Sequence, residues 1–189
     1  SNWCSPMCGN SVTSKAKAHE RLSKELEALK AWTGKTTATL VFDTDTDGWD
    51  HGKFNEVLKR PSNAVIGITT EGDIFGGYVS VGANKTSKNL PDDWLFVFSF
   101  FSHGRCAVPQ RWCLREDRVR AGKDVRLFNP ANRVFIRFGT FSHFMLGNGK
   151  DSSRVWHPGL SFEGLRDDVH TGKANTYFTT ARLLVVHLE

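Results

Sequence analysis

The sequence predicts an α+β fold: an antiparallel β-sandwich with flanking helices, preceded by an N-terminal amphipathic helix. Three observations carry this. After residue 36 the chain consists mainly of short β-branched and aromatic runs separated by Gly-, Pro- and Asn-containing turns, the signature of antiparallel sheets. The one extended helical period lies near the start. With 189 residues, 39% of them hydrophobic and 14 of them Phe, there is enough apolar side chain for the core of one domain.

In chain order, residues 1–13 read as a flexible tail, rich in Ser, Gly and Asn. A helix is expected from about Lys15 to Trp32, stopped by Gly34, with Leu22, Leu26, Leu29 and Trp32 near one face. That stripe suits either two heptads of a coiled coil, hence a homodimer, or one helix docked on the domain. The domain itself is expected over residues 37–189. "TTATLVF", Thr36 to Phe42, reads as its first strand, and Phe54, Val57 and Leu58 mark a short helix. Asn63–Thr69 and Ile74–Val81 flank the turn "TEGD" and read as a β-hairpin. Gly76 and Gly77 inside that second strand predict a bulge or a close backbone approach. Asp93 to Phe101 is apolar on both faces, so a central, buried strand is expected. Asn132 to Leu146 holds two strands broken near Gly139, and "ARLLVVHLE" closes the chain as another.

The string "DTDTDGWD", Asp43 to Asp50, spells the first half of an EF-hand loop. With Asp43 at position 1, Asp45 and Asp47 take 3 and 5 and Gly48 takes 6, but position 12 is Phe54 and the preceding segment is a strand. Two readings stand. One is a calcium loop of another kind, using Asp43, Asp45 and Asp47. The other is a strand-to-helix turn, in which Gly48 supplies permissive backbone and Asp47 or Asp50 caps the next helix. Calcium is the one cofactor this sequence suggests.

Net charge is +5 with a pI near 9.1. From Arg105 to Arg137 nine basic residues face three acidic ones. Arg111, Arg115, Arg118, Arg120, Lys123 and Arg126 form the candidate patch for nucleic acid or a partner, with Trp112 and Phe128 interleaved. No helix-turn-helix, zinc-finger or RNP motif accompanies it. Four cysteines are too few for a disulfide scaffold, and free thiols point to an intracellular setting, cytoplasmic or nuclear. No apolar run is long enough for a transmembrane helix. Catalytic motifs are not found: no Gly-x-Ser-x-Gly, no His-Glu-x-x-His, and "LGNGKDSSR" departs from a Walker loop. Ser102–His103 and Ser142–His143 are neighbours, which places their side chains on opposite sides of a strand. The residues therefore point to a non-enzymatic protein.

The stretch from Leu40 to Val81 resembles the first half of a TLDc domain. It holds the strand, the turn Asp47-Gly48-Trp49, the short helix, the strand Val65 to Ile68 and the string Ile74-Phe75-Gly76-Gly77-Tyr78. "PDDWLFVFSF" and "NTYFTTARLLVVHLE" are similar to later strands of that family, and the leading helix is similar to that of TLD-type proteins from amoeboid protists. The likeness covers about Thr37 to Glu189. The Gly-rich run of the family's second half is reduced here to Gly147 and Gly149, and the arginine-rich stretch has no counterpart. The resemblance implies a β-sandwich without a catalytic centre, a role for Gly48 and Trp49 as a structural turn, and an interaction module with an unidentified protein partner. Oxidative stress response and binding to the vacuolar proton pump are family properties it brings with it. The alternative from the basic stretch is a DNA-binding transcriptional regulator on the same scaffold.

Overall fold

Strands with one apolar face bury it only when a second layer covers it. Here that layer is another sheet. The computed structural model describes residues 14–119, 121–139 and 143–189. Its helices are α1 (Ser14–Arg21), α2 (Ser23–Thr33), α3 (Thr44–Asp47), α4 (His51–Val57) and α5 (Glu116–Val119). The first sheet orders β1 (Ala38–Asp43), β12 (Thr180–Leu188), β2 (Asn63–Thr69), β3 (Ile74–Val79), β5 (Phe96–Phe101) and β6 (Gln110–Cys113) side by side. The second orders β11 (Thr176–Phe178), β10 (Ser153–Trp156), β9 (His143–Gly147), β8 (Val134–Gly139), β7 (Val125–Leu127) and β4 (Asn89–Leu90). All pairings between these strands are antiparallel. The α+β class and the two-sheet sandwich are as expected.

The main core lies between the sheets. Val65, Phe75, Val97, Leu183 and Val185 from the first meet Ile136, Phe138, Phe144, Leu146 and Val155 from the second. Phe75 sets its ring edge-on to Phe144 at 5.4 Å. Gly76 and Gly77 are the close approach that their position in a strand predicts. A Cβ on Gly76 would run into the Val65 carbonyl, and one on Gly77 into the Phe138 ring. The register also shifts between Ile74 and Phe75 against β5.

A second apolar layer lies outside the first sheet. Leu22, Leu26 and Leu29 pack on Ala64, Ile66, Phe96, Phe98, Leu184 and Val186, and Trp32 stacks on Phe100 at 6.2 Å. The helical segment breaks at Leu22 and ends at Gly34 in the left-handed region, φ +69°. This decides between the two readings of its leucine stripe. The stripe is buried against the chain's own sheet, which removes it as a coiled-coil seam for a homodimer. The same layer explains the doubly apolar β5. Its neighbours are β3 and the edge strand β6, so it is not central as expected; the helix covers its second face instead. The centre is held by β2 and β3. No helix among the described residues is long and apolar enough to cross a membrane.

Candidate nucleic-acid interface

The aspartate loop is a salt-bridged corner. Asp43 is fully buried, and the Arg182 guanidinium grips it in a fork, Nε to Oδ1 at 2.9 Å and Nη2 to Oδ2 at 2.6 Å. Arg182 Nη1 reaches Asp45 Oδ2 at 3.1 Å. Asp43 Oδ1 also accepts the Asp45 amide, and Asp47 Oδ2 accepts the Asp43 amide, both at 3.0 Å. Lys53 Nζ donates to Asp47 Oδ1 at 2.5 Å. The bond to Asp43 raises the Arg182 guanidinium above its ordinary range. Arg182 and Lys53 thus hold carboxylate oxygens of Asp43, Asp45 and Asp47 that the calcium reading assigns to the metal. Among the described residues no group of three or more acidic, His or Cys side chains is arranged for a metal ion. Asp50 is the cap of α4, accepting the Lys53 amide at 2.9 Å. Gly48 turns the chain at φ +69°, and Trp49 packs edge-on to Phe135 at 5.7 Å.

The basic stretch does not form the single patch its spacing suggests. Arg111 lies on β6 of the first sheet, over the Phe96 ring at 5.3 Å, and donates to the Trp32 carbonyl at 2.8 Å. Arg115 precedes α5 and Arg118 lies within it, and both hold acids: Arg115 reaches Glu163 at 3.5 Å and Arg118 reaches Asp117 at 3.9 Å. Lys123 is exposed in the loop before β7. Arg120, Ser142 and the tail with Cys4 and Cys8 lie outside the described residues. Cys106 and Cys113 are free thiols.

Arg126 belongs to a different constellation, assembled by strand register. Arg126 pairs with Arg137, Arg137 with Met145, Met145 with Arg154, and Arg154 with Tyr177. These positions alternate with Val125, Leu127, Ile136, Phe138, Phe144, Leu146 and Val155, all buried between the sheets. The row therefore lies on the outer face of the second sheet. It places three guanidiniums across four strands, about three strand spacings or roughly 14 Å end to end. The strands β7 to β11 contain no Asp or Glu.

Aromatic rings hold these arginines where acids usually would. Arg154 lies 4.1 Å above the Trp156 ring and 5.0 Å from Tyr177, and Arg126 lies 5.1 Å from Phe128. Arg137 Nε donates to the Gly139 carbonyl at 2.9 Å and Nη2 to Asn89 Oδ1 at 2.6 Å. The buried Nε atoms of Arg126 and Arg154 have no hydrogen-bond partner among the described residues. Burial lowers the Arg137 guanidinium from its ordinary range, and the neighbouring Arg126 charge lowers it further. Like charges are thus held side by side without neutralisation. Trp156 is 36% exposed and Tyr177 52%.

Two other concavities flank the sandwich. A cleft of about 570 Å³ holds Asp73, His103 and Arg105, with threonines around them. His103 Nδ1 and Arg105 Nη2 share Asp73 Oδ1 at 2.8 and 2.5 Å, and Arg105 also donates to the Val169 and His170 carbonyls. This ties three loops together. Ser102 is buried and its Oγ accepts the Cys106 amide, while His103 is exposed; both follow the end of β5, so a turn separates the pair and not strand alternation. A groove of about 760 Å³ beyond the end of α2 is bordered by Trp32, Tyr78 and Arg111, with Trp94 79% exposed at its rim.

No protein-family model matches this chain, and no curated protein is significantly similar to it.

Of the arginine row, only Arg126 stood among the sequence candidates. Arg137 and Arg154 lie in separate strands, and their link is a cross-strand register. The signal available beforehand was alternation: "VRL" and "VFIRF" each set one arginine between two apolar residues, and "SRVW" sets Arg154 beside Val155.

Proposed function

We propose that the chain is a non-enzymatic interaction module on a TLDc-like scaffold, and that its working surface is the outer face of the second sheet, which takes an anionic polymer. The carrying observation is the row Arg126, Arg137 and Arg154, with no acidic residue in the strands that bear it. Other arginines of this chain share carboxylates, Arg115 with Glu163 at the surface and Arg182 with the buried Asp43. Clustered unpaired guanidiniums repel one another, and a bound anion relieves that repulsion while releasing counterions. The TLDc-like reading supplies the setting, a stress-response or regulatory role through binding.

The test is retention on immobilised heparin, a sulfated polymer without bases. The full chain should elute at a salt concentration well above that of a variant with Arg126→Ser, Arg137→Ser and Arg154→Ser. The pair Arg115→Ser and Arg118→Ser should shift elution much less, because those arginines already hold acids. Equal elution of the triple variant and the wild type refutes the assignment.

A further inference from the structure

We infer that the polymer taken by this face is single-stranded nucleic acid, whose bases stack on Trp156 and Tyr177 while its phosphates meet Arg126, Arg137 and Arg154. This rests on the anion-binding reading above and specifies its ligand. Three features select a single strand.

The first is the pairing of rings with guanidiniums. Arg154 lies between Trp156 and Tyr177, at 4.1 and 5.0 Å from their centroids. The rings keep 36% and 52% of their surface in water. A sulfate or a carboxylate gains nothing from a ring face. A base does, because every base presents a flat π surface.

The second is shape. The row runs across four adjacent strands with its side chains half-buried, and the register places Arg137 and Arg154 on either side of Met145. Duplex recognition usually sets a helix or ribbon into a groove. This face presents strands broadside, and stacked bases inside a duplex expose no ring face to it. An unpaired strand lying across the sheet offers phosphates and bases at once, which is how sheet surfaces read single strands.

The third is the position of the rings. Trp156 follows Arg154 by two residues and so shares its face of β10. Tyr177 stands opposite Arg154 on the edge strand β11. Phe128 is two residues past Arg126, at the far end of the row. The aromatic positions thus bracket the cationic ones.

The experiment uses fluorescence anisotropy with a 12-nucleotide fluorescein-labelled oligo(dT), the matching 12-base-pair duplex, polyglutamate as competitor, and the heparin retention described above. Trp156→Ala, Tyr177→Ala and Trp156→Phe are compared with wild type, each checked by circular dichroism for a retained fold. The single strand should bind more tightly than the duplex. Each ring-to-Ala change should weaken it roughly 5- to 150-fold, with Trp156→Phe recovering part of the loss. Three phosphate contacts should give a slope of log affinity on log salt of about −2. Duplex binding equal to single-strand binding overturns the inference. So does an equal loss of oligo(dT) and heparin affinity in the ring variants, or competition by polyglutamate as effective as by unlabelled oligo(dT). In these cases salt-sensitive heparin binding keeps the anion-binding reading. Failure of both heparin and oligo(dT) removes both.

Discussion

The two sheets of this sandwich turn opposite kinds of surface outward. The first is apolar on its outer side and is covered by Leu22, between α1 and α2, and by Leu26 and Leu29 of α2. The second carries Arg126, Arg137, Met145, Arg154 and Tyr177 on the corresponding side. The contrast extends to charge. In the first sheet Arg182 meets a buried carboxylate at 2.6 Å, whereas the arginines of the second sheet meet rings, an amide and backbone carbonyls. A covered face contributes stability. A half-buried cationic face without carboxylates gives up a little stability to like-charge repulsion.

The largest break in the contrast should come from the paired arginine. Arg182→Ala leaves Asp43 buried and uncompensated, so urea unfolding should show a loss of about 3–5 kcal/mol. A loss below about 1 kcal/mol would mean that the corner relaxes to admit water. Next is the covered face. Leu29→Ala should cost about 2–5 kcal/mol, whereas Met145→Ala on the open face should stay within about 1 kcal/mol. Similar losses at the two sites would erase the distinction between the faces.

His170 sharpens the comparison from within, because it lies between the sheets. It is buried, stacked on Phe75 at 4.4 Å, and neither ring nitrogen has a hydrogen-bond partner among the described residues. Burial lowers its pKa from 6.5 to about 3, with the nearby Arg105 charge adding to the effect. Between those values the unfolded chain binds the proton and the folded chain does not. The contribution of His170 is therefore complete above pH 6.5 and falls as pH drops toward 3, by about 1.4 kcal/mol per pH unit. The difference in stability between wild type and His170→Phe should follow that slope. A pH-independent difference would place water or a proton partner beside the imidazole.

The smallest effect is expected at Arg126. Arg126→Thr removes a like charge from its cross-strand position opposite Arg137 and should raise stability by about 0.2–1 kcal/mol at low salt. The gain should shrink at 1 M salt, where such repulsion is screened. A destabilisation instead would show that the stacking of Arg126 on Phe128 outweighs the repulsion.

Much of the fold is legible in local patterns. The hairpin of β2 and β3, the pair β8 and β9 around Gly139, and the last strand follow from alternation and turn residues, whose effects reach only a few positions. The stop of α2 at Gly34 and the cap by Asp50 are local in the same way. Short strands such as β4, β7 and β11 carry too few residues to show a period, and β6 and β10 lie in stretches crowded with charged and turn residues. They form because a neighbour offers its edge. The aspartate loop misleads for a related reason. Its oxygens suit a cation, and the cation that comes is Arg182, 139 residues away in sequence from Asp43.

By itself the sequence determined the α+β class, the amphipathic helix, the principal strands and the excess of positive charge, because these depend on composition and on periods within one segment. Only the tertiary structure decided which arginines share a surface. Hydrogen-bond register sets Arg126, Arg137 and Arg154 in one row, although they come from three strands that no local period connects. It likewise decided that the leucine stripe of α2 meets this chain's own sheet, because a stripe of leucines specifies that an apolar surface must cover it and not which one.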